Sequence, residues 1–303
     1  LSVSADEKSL TLFGVDFSSA PGPRKHIVVA QGQRVGSVVR LQGLQFLPSL
    51  AGFEAWLQTP GPWLAGFDLP FGLPRAFVDS LALGRTAAEV CAQVHQRCAT
   101  RMDFRRLVDA WGNGQPAGQR LLHRATDLLL AGVSSTSPLQ TRYVPVGFMY
   151  FEGFARILAS GADVPGLHPG DAQRRALEAY PGALAHALIG KRSYKNDASH
   201  ERLLARKDML EALEQGRSSL GLRLKLTPAQ AGVLVADASG DALDAVLSLL
   251  QAAWALGQDR LGLPPQMDVV EGWIVGAVAP ASALAAGAEI AALPPARKRP
   301  ARP

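Results

Sequence analysis

The sequence predicts an α/β fold, a mixed sheet flanked by helices and interrupted by a large helical insertion. Three observations predict it. Three strand-like runs follow one another near the start, joined by tight links. A fourth apolar run comes after one helical segment and ends in an acid followed by Pro and Gly. From 75 to 170 the spacing turns helical before strand-like and helical pieces resume.

Taken in order, "SLTLFGVDF" (9–17) predicts the first strand, ending at Asp16 among small residues. "KHIVVAQGQR" (25–34) and "SVVRLQGLQF" (37–46), turning near Gly36, complete an antiparallel meander. "PSLAGFEAWLQ" (48–58) repeats Phe53, Trp56 and Leu57 at helical spacing, with Pro48 suited to a helix start. "PWLAGFDLPFGLP" (62–74) is a buried strand tipped by Asp68. Four stretches then read as helices: "FVDSLALGRTAAEVCAQVHQRC", "MDFRRLVDAW", "GQRLLHRATDLLLAG" and "MYFEGFARILASG". "RRALEAYPGALAHAL" (174–188) supplies another short strand, carrying Glu178 ahead of Pro181. "ASHERLLARKDMLEALEQ" (198–215) is a polar amphipathic helix. The segment 226–257 ends in a long helix beginning near Asp241, and "MDVVEGWIVGAV" (267–278) is strand-like.

This gives a domain over 9–280, with a core of 9–74 and 171–280 around the insertion, and a Pro/Arg-rich tail over 281–303. The tail composition predicts disorder. Of the net charge of +5, Arg297, Lys298, Arg299 and Arg302 supply four units, so the body is near neutral. A solvated terminus is favoured over a nucleic-acid arm. No apolar run approaches the ~20 residues of a membrane span, and the first residues do not read as a secretion signal. A cytoplasmic protein is the expectation. Cys91 and Cys98, on one helix, would be separated by about 10 Å of rise, too far for a disulfide. They are expected to be reduced and buried.

Several chemistries lack their signatures. "GNGQPAG" (112–118) follows a helix and has no Lys-Ser/Thr, so it reads as a connector. The six histidines show no HExxH, and no Gly-x-Ser-x-Gly turn surrounds Ser18 or Ser19. Arg97, Arg101 and Arg105 would share a face if their helix is continuous, either as a phosphate-binding stripe or as a solvated face beside Asp103 and Asp109.

The carboxylates carry the functional reading. Asp16 ends the first strand, Asp68 ends the fourth, and Asp241 and Asp244 lie in the first turn of the last long helix. That helix has an apolar stripe of Leu243, Val246, Leu247, Leu250 and Trp254. Its Ser248, Ala252 and Ala255 would allow close approach to a sheet. The Asp241/Asp244 pair has a second reading, as a helix cap stabilised by the dipole. Asp16 taken alone has a second reading as a turn-capping residue, but Asp16 and Asp68 both end buried runs where no helix cap is required. Buried like charges repel unless a cation neutralises them. Carboxylates without thiols or imidazoles favour Mg²⁺ or Mn²⁺. Two such ions, roughly 3.5–4 Å apart, can activate water at a phosphodiester.

"FGVDFSSAP", "GFDLPFGLP", "LEAYPGAL" and "GDALDAVLSLL", in this order, resemble a predicted-nuclease family, domain-of-unknown-function family 429, within the ribonuclease H-like superfamily. The resemblance covers roughly residues 9–280, and Asp241 to Ala245 is also similar to the last helix of RuvC-type junction resolvases. It implies a ribonuclease H-like mixed sheet and a metal-dependent nuclease. It makes Asp16 the ligand that bridges two Mg²⁺ or Mn²⁺ ions, Asp68 the second ligand, and Asp244 the helix-borne ligand with Asp241 as helper or substitute. Glu178 is a further catalytic acid on this reading or, alternatively, a solvent-facing strand residue. Lys195, in "SYKND", would meet a phosphate or be an ordinary surface lysine. The implied partner is nucleic acid, RNA or DNA. Two rivals stay open. An actin-like ATPase-type phosphotransferase also places Asp after its first strand, as in "GVDFSS", but needs a duplicated domain and a second Gly-rich phosphate turn. A non-catalytic binding module on the same fold would form no metal cluster.

Overall fold

Strand β1, Thr11–Asp16, is buried along nearly its whole length, which its apolar run dictates. The computed structural model describes residues 10–130 and 132–277. β2 (Ile27–Val35) and β3 (Val38–Leu47) continue antiparallel from β1, as the meander reading expects. Helix α1 (Leu50–Leu57) follows, with Ser49 rather than Pro48 at its start, the Ser49 side chain accepting from the Gly52 amide at 3.0 Å. β4 (Trp63–Asp68) then pairs parallel with β1, residue for residue.

The stretch from 75 to 170 holds α2 (Arg75–Ser80), α3 (Ala87–Arg97), α4 (Arg101–Asn113), the single turns α5 (Ala125–Leu128) and α6 (Val146–Met149), a π-helical turn over Tyr150–Phe154 and α7 (Ala155–Ala159). The expected helix over 77–98 is broken at Leu81–Thr86, where Gly84 has a φ of 143°. Most of "GQRLLHRATDLLLAG" is irregular, with only α5 helical. The continuous arginine stripe is overturned too, because the chain leaves the helix at Cys98 and restarts under a Thr100–Asp103 capping box. Arg97 instead donates to the Leu81 carbonyl, whereas Arg101 and Arg105 lie over the Phe148 ring. Both cysteines are free and buried.

A two-residue strand, β5 (Ala162–Asp163), pairs with β6 (Asp171–Glu178), and β6 runs parallel to β4. Beyond it come α8 (Pro181–Ile189), α9 (His200–Glu214), β7 (Arg223–Lys225), α10 (Pro228–Ala236) and α11 (Asp241–Leu256). The strand expected over 267–278 reduces, among the described residues, to one bridge between Ile274 and Glu178. The tail expected to be disordered lies outside the described residues.

The result is a mixed α/β architecture. Seven strands form one sheet in the order β5-β6-β4-β1-β2-β3-β7, with helices on both faces. Alternation assigns the faces. Phe13 and Val15 of β1 and Ala65 and Phe67 of β4 face α1 and the helices of 75–170, through an aromatic cluster in which Phe13 meets Trp56 at 5.2 Å. Leu12 and Leu64 face the other way, into a core built with α8, α9 and α11.

Candidate metal centre

Parity places the first two acids. Counting in twos from Leu12 along β1 reaches Gly14 and Asp16, and counting from Leu64 along β4 reaches Gly66 and Asp68. The strands are parallel and in register, with Gly14 opposite Gly66 and Asp16 opposite Asp68. Both carboxylates therefore emerge at neighbouring strand tips, about 4.8 Å apart as adjacent strands must be, on the face that α11 covers.

Helix α11 brings the third. It lies so close to the sheet that a Cβ on Gly14 would meet the Leu249 amide nitrogen at 2.0 Å and the Ala245 carbonyl oxygen at 2.1 Å. A Cβ on Gly66 would meet the Ser248 carbonyl oxygen at 2.6 Å. The closeness expected from small residues on the helix is thus made largely by glycines on the strands. Asp244, one turn ahead of Ser248, is carried over the strand tips. One oxygen from each of Asp16, Asp68 and Asp244 lies within 4.8 Å of the others.

The alternative role of a cap is filled by other residues. Gly240 is the N-cap, Asp237 Oδ2 accepts from the Ala242 amide at 2.9 Å, and Ser239 Oγ accepts from the Asp241 amide at 3.2 Å. Asp241 is the first helical residue, half-buried. It is not one of the three converging acids, but its charge raises the carboxyl of Asp16.

The electrostatics are those of charge held away from water. Burial first, then the Asp241 and Asp68 charges, push the Asp16 carboxyl well above the usual carboxylate range. Asp68 is pushed up to about 6, chiefly by burial, with Lys195 opposing the shift and Glu178 and Asp241 adding to it. Asp244 is fully buried. Its Oδ1 accepts from the Tyr194 hydroxyl, while its Oδ2 accepts no hydrogen bond and is met by the Lys195 ammonium as an ion pair. Lys195 is accordingly not a free surface side chain.

Glu178 stands apart from the expected catalytic set. It follows Leu177, which faces α11, so alternation turns its side chain to the opposite face. There it is buried rather than solvent-facing, and Arg124 clasps it with Nη1 at 2.8 Å and Nη2 at 2.6 Å, while the Phe71 amide donates at 2.9 Å. Arg124, itself 1% exposed, also binds Asp127 and the Glu271 carbonyl. Neither Arg124 nor Tyr194 was foreshadowed in the sequence. A lone arginine in "HRATD" and a tyrosine beside a lysine carry no spacing signal.

An all-oxygen donor set of three converging carboxylates, without thiols or imidazoles, fits a hard divalent cation. Oxygens at 2.0–2.1 Å on opposite sides of Mg²⁺ stand about 4 Å apart, close to the separation present. Asp16, Asp68 and Asp244 are the residues that would hold it. No helix among the described residues is long and apolar enough to cross a membrane.

The family model described as "Protein of unknown function (DUF429)" matches residues 14–268. Neither the curated proteins nor the solved structures contain a match to the chain.

Proposed function

We propose that this chain, which belongs to the DUF429 family, is a divalent-cation-dependent phosphodiester hydrolase acting on nucleic acid from a ribonuclease H-like core. The order β3-β2-β1-β4, with an antiparallel meander and β4 parallel to β1, supports the core assignment. The observation that carries the activity is the convergence of Asp16, Asp68 and Asp244 from two strand tips and a helix, remote in sequence and close in space. Structural acids rarely gather at such a cost in mutual repulsion without a cation to offset it.

Mg²⁺ or Mn²⁺ held there would supply an acidified water and a positive charge for the departing oxygen. The chain's own part is to hold the cation between sheet and helix and to fix Asp244 through Tyr194 and Lys195. In the reaction, the water oxygen bonds to phosphorus as the bond from phosphorus to the sugar oxygen breaks. The water gives up a proton and the sugar oxygen gains one, so no covalent enzyme intermediate and no redox partner are required. Nucleic acid is the substrate class the ribonuclease H-like reading implies; fold alone does not imply function.

The test is cleavage of labelled RNA, single-stranded DNA and branched DNA with Mn²⁺, with ATP assayed alongside and Asp16→Asn as control. Cleavage by the wild type and its loss, by at least a hundredfold, in Asp16→Asn is expected. ATP turnover without nucleic-acid cleavage would instead support a phosphotransferase, and inertness toward all four would support a binding module.

A further inference from the structure

We infer that the Lys195 ammonium fills one cation position of the acid cluster, so that the free protein takes a single divalent ion rather than two. The inference rests on the cation-site reading above. Lys195 is delivered by a built loop. In the connection between α8 and α9, the Tyr194 carbonyl accepts from Nη1 of Arg206, a residue of α9, at 2.7 Å, and Arg206 Nε donates to the Val235 carbonyl of α10 at 2.9 Å. Arg206 is 1% exposed, so these bonds are sheltered from water. Arg202 donates to the Lys195 carbonyl. Gly240 leaves room for the lysine stem, since a Cβ there would stand 2.8 Å from Lys195 Cγ. The ammonium ends against Asp244 Oδ2, the same buried oxygen that accepts no hydrogen bond.

Charge balance sets the number of ions. Asp16, Asp68 and Asp244, the three converging acids, carry three negative charges when ionised, while Asp241, whose charge reaches Asp16 and Asp68, is half-buried and keeps its contact with water. Glu178 does not add to them as a ligand, because Arg124 holds it on the other face. Lys195 contributes one positive charge and one divalent ion two more, which brings the three carboxylates to neutrality. A second divalent ion would have to share Asp244 with an ammonium already seated there, and buried excess charge of either sign is costly. The family resemblance implies two ions, so this chain's lysine makes a distinguishable claim.

The experiment counts Mn²⁺ ions by calorimetric titration and by electron paramagnetic resonance, which separates an isolated ion from a spin-coupled pair. Wild type, Lys195→Ala and Lys195→Arg are compared, with circular dichroism to confirm folding. One isolated ion is expected in wild type and in Lys195→Arg, and a coupled pair in Lys195→Ala. Two ions in wild type, or one in a folded Lys195→Ala, overturns the inference while leaving the cation site intact. No Mn²⁺ bound by wild type overturns the site itself and the inference with it. If Lys195→Ala fails to fold, the wild-type count alone decides.

Discussion

Without a cation, the Asp68 carboxyl is pushed up to about 6 by burial and by neighbouring acids, above its ordinary 3.8. Between those values the folded protein holds protons that the unfolded chain has released. This group therefore favours the folded state in acid, and that contribution is lost as pH rises through about 6. Asp16, also raised by burial and by the Asp241 and Asp68 charges, acts with the same sign. Differential scanning calorimetry of metal-free protein should find Asp68→Asn gaining on wild type from pH 5 to pH 7, by a few degrees. A constant offset would refute the assignment. Saturating Mg²⁺ should erase the difference by favouring the ionised wild-type cluster. Arg124 makes a separate point at this scale. It is buried between Glu178 and Asp127. Arg124→Ala strands both acids, and urea unfolding should record a loss of about 3–5 kcal/mol. Glu178→Gln should leave Mn²⁺ affinity within a fewfold of wild type, since its carboxylate serves Arg124; loss of the ion would return it to the ligand set.

At the scale of elements, the centre depends on how closely α11 lies on β1 and β4. Gly14→Ala puts a methyl group into the backbone of α11 at Ala245 and Leu249. Backbone cannot step aside as a side chain can, so about 1–3 kcal/mol or more should be lost. Mn²⁺ affinity should fall with it, because Asp244 moves with the helix. A variant with unchanged stability in urea would show that the helix sits farther from the sheet. The elements also show what was legible. β1 and β4 were readable as short continuous apolar runs, β2 and β3 as strand-like runs joined by a tight turn, and α11 by its apolar stripe, and Asp16 and Asp68 were readable as acids ending the runs of β1 and β4. β7 was not, being three residues whose partner is distant in sequence. α10 was not, because "PAQAGVLVA" is apolar without a strong stripe. Glu178 was misplaced for a subtler reason: one residue of strand parity decides which face an acid meets, and sequence position alone does not resolve it.

Across the whole molecule, a single sheet separates two cores, and the functional proposal concerns only one side. The helices of 75–170 join α1 in covering the aromatic face, through Phe77, Val90, Phe104 and Phe154. The acid cluster opens beside α11, on the other face. The inserted residues thus brace the sheet from behind, and an ion pair from Arg124 to Glu178 ties them to the tip of β6. That arrangement explains how three acids far apart in the chain can be juxtaposed although their repulsion is offset only in part, by Lys195. The most direct test of the convergence is isothermal titration of Mg²⁺ or Mn²⁺ into wild type, Asp16→Asn and Asp244→Asn, each confirmed as folded. Saturable binding by wild type, weakened at least tenfold in both variants, is predicted. Undiminished binding in either folded variant, or none in wild type, would contradict a shared cation site.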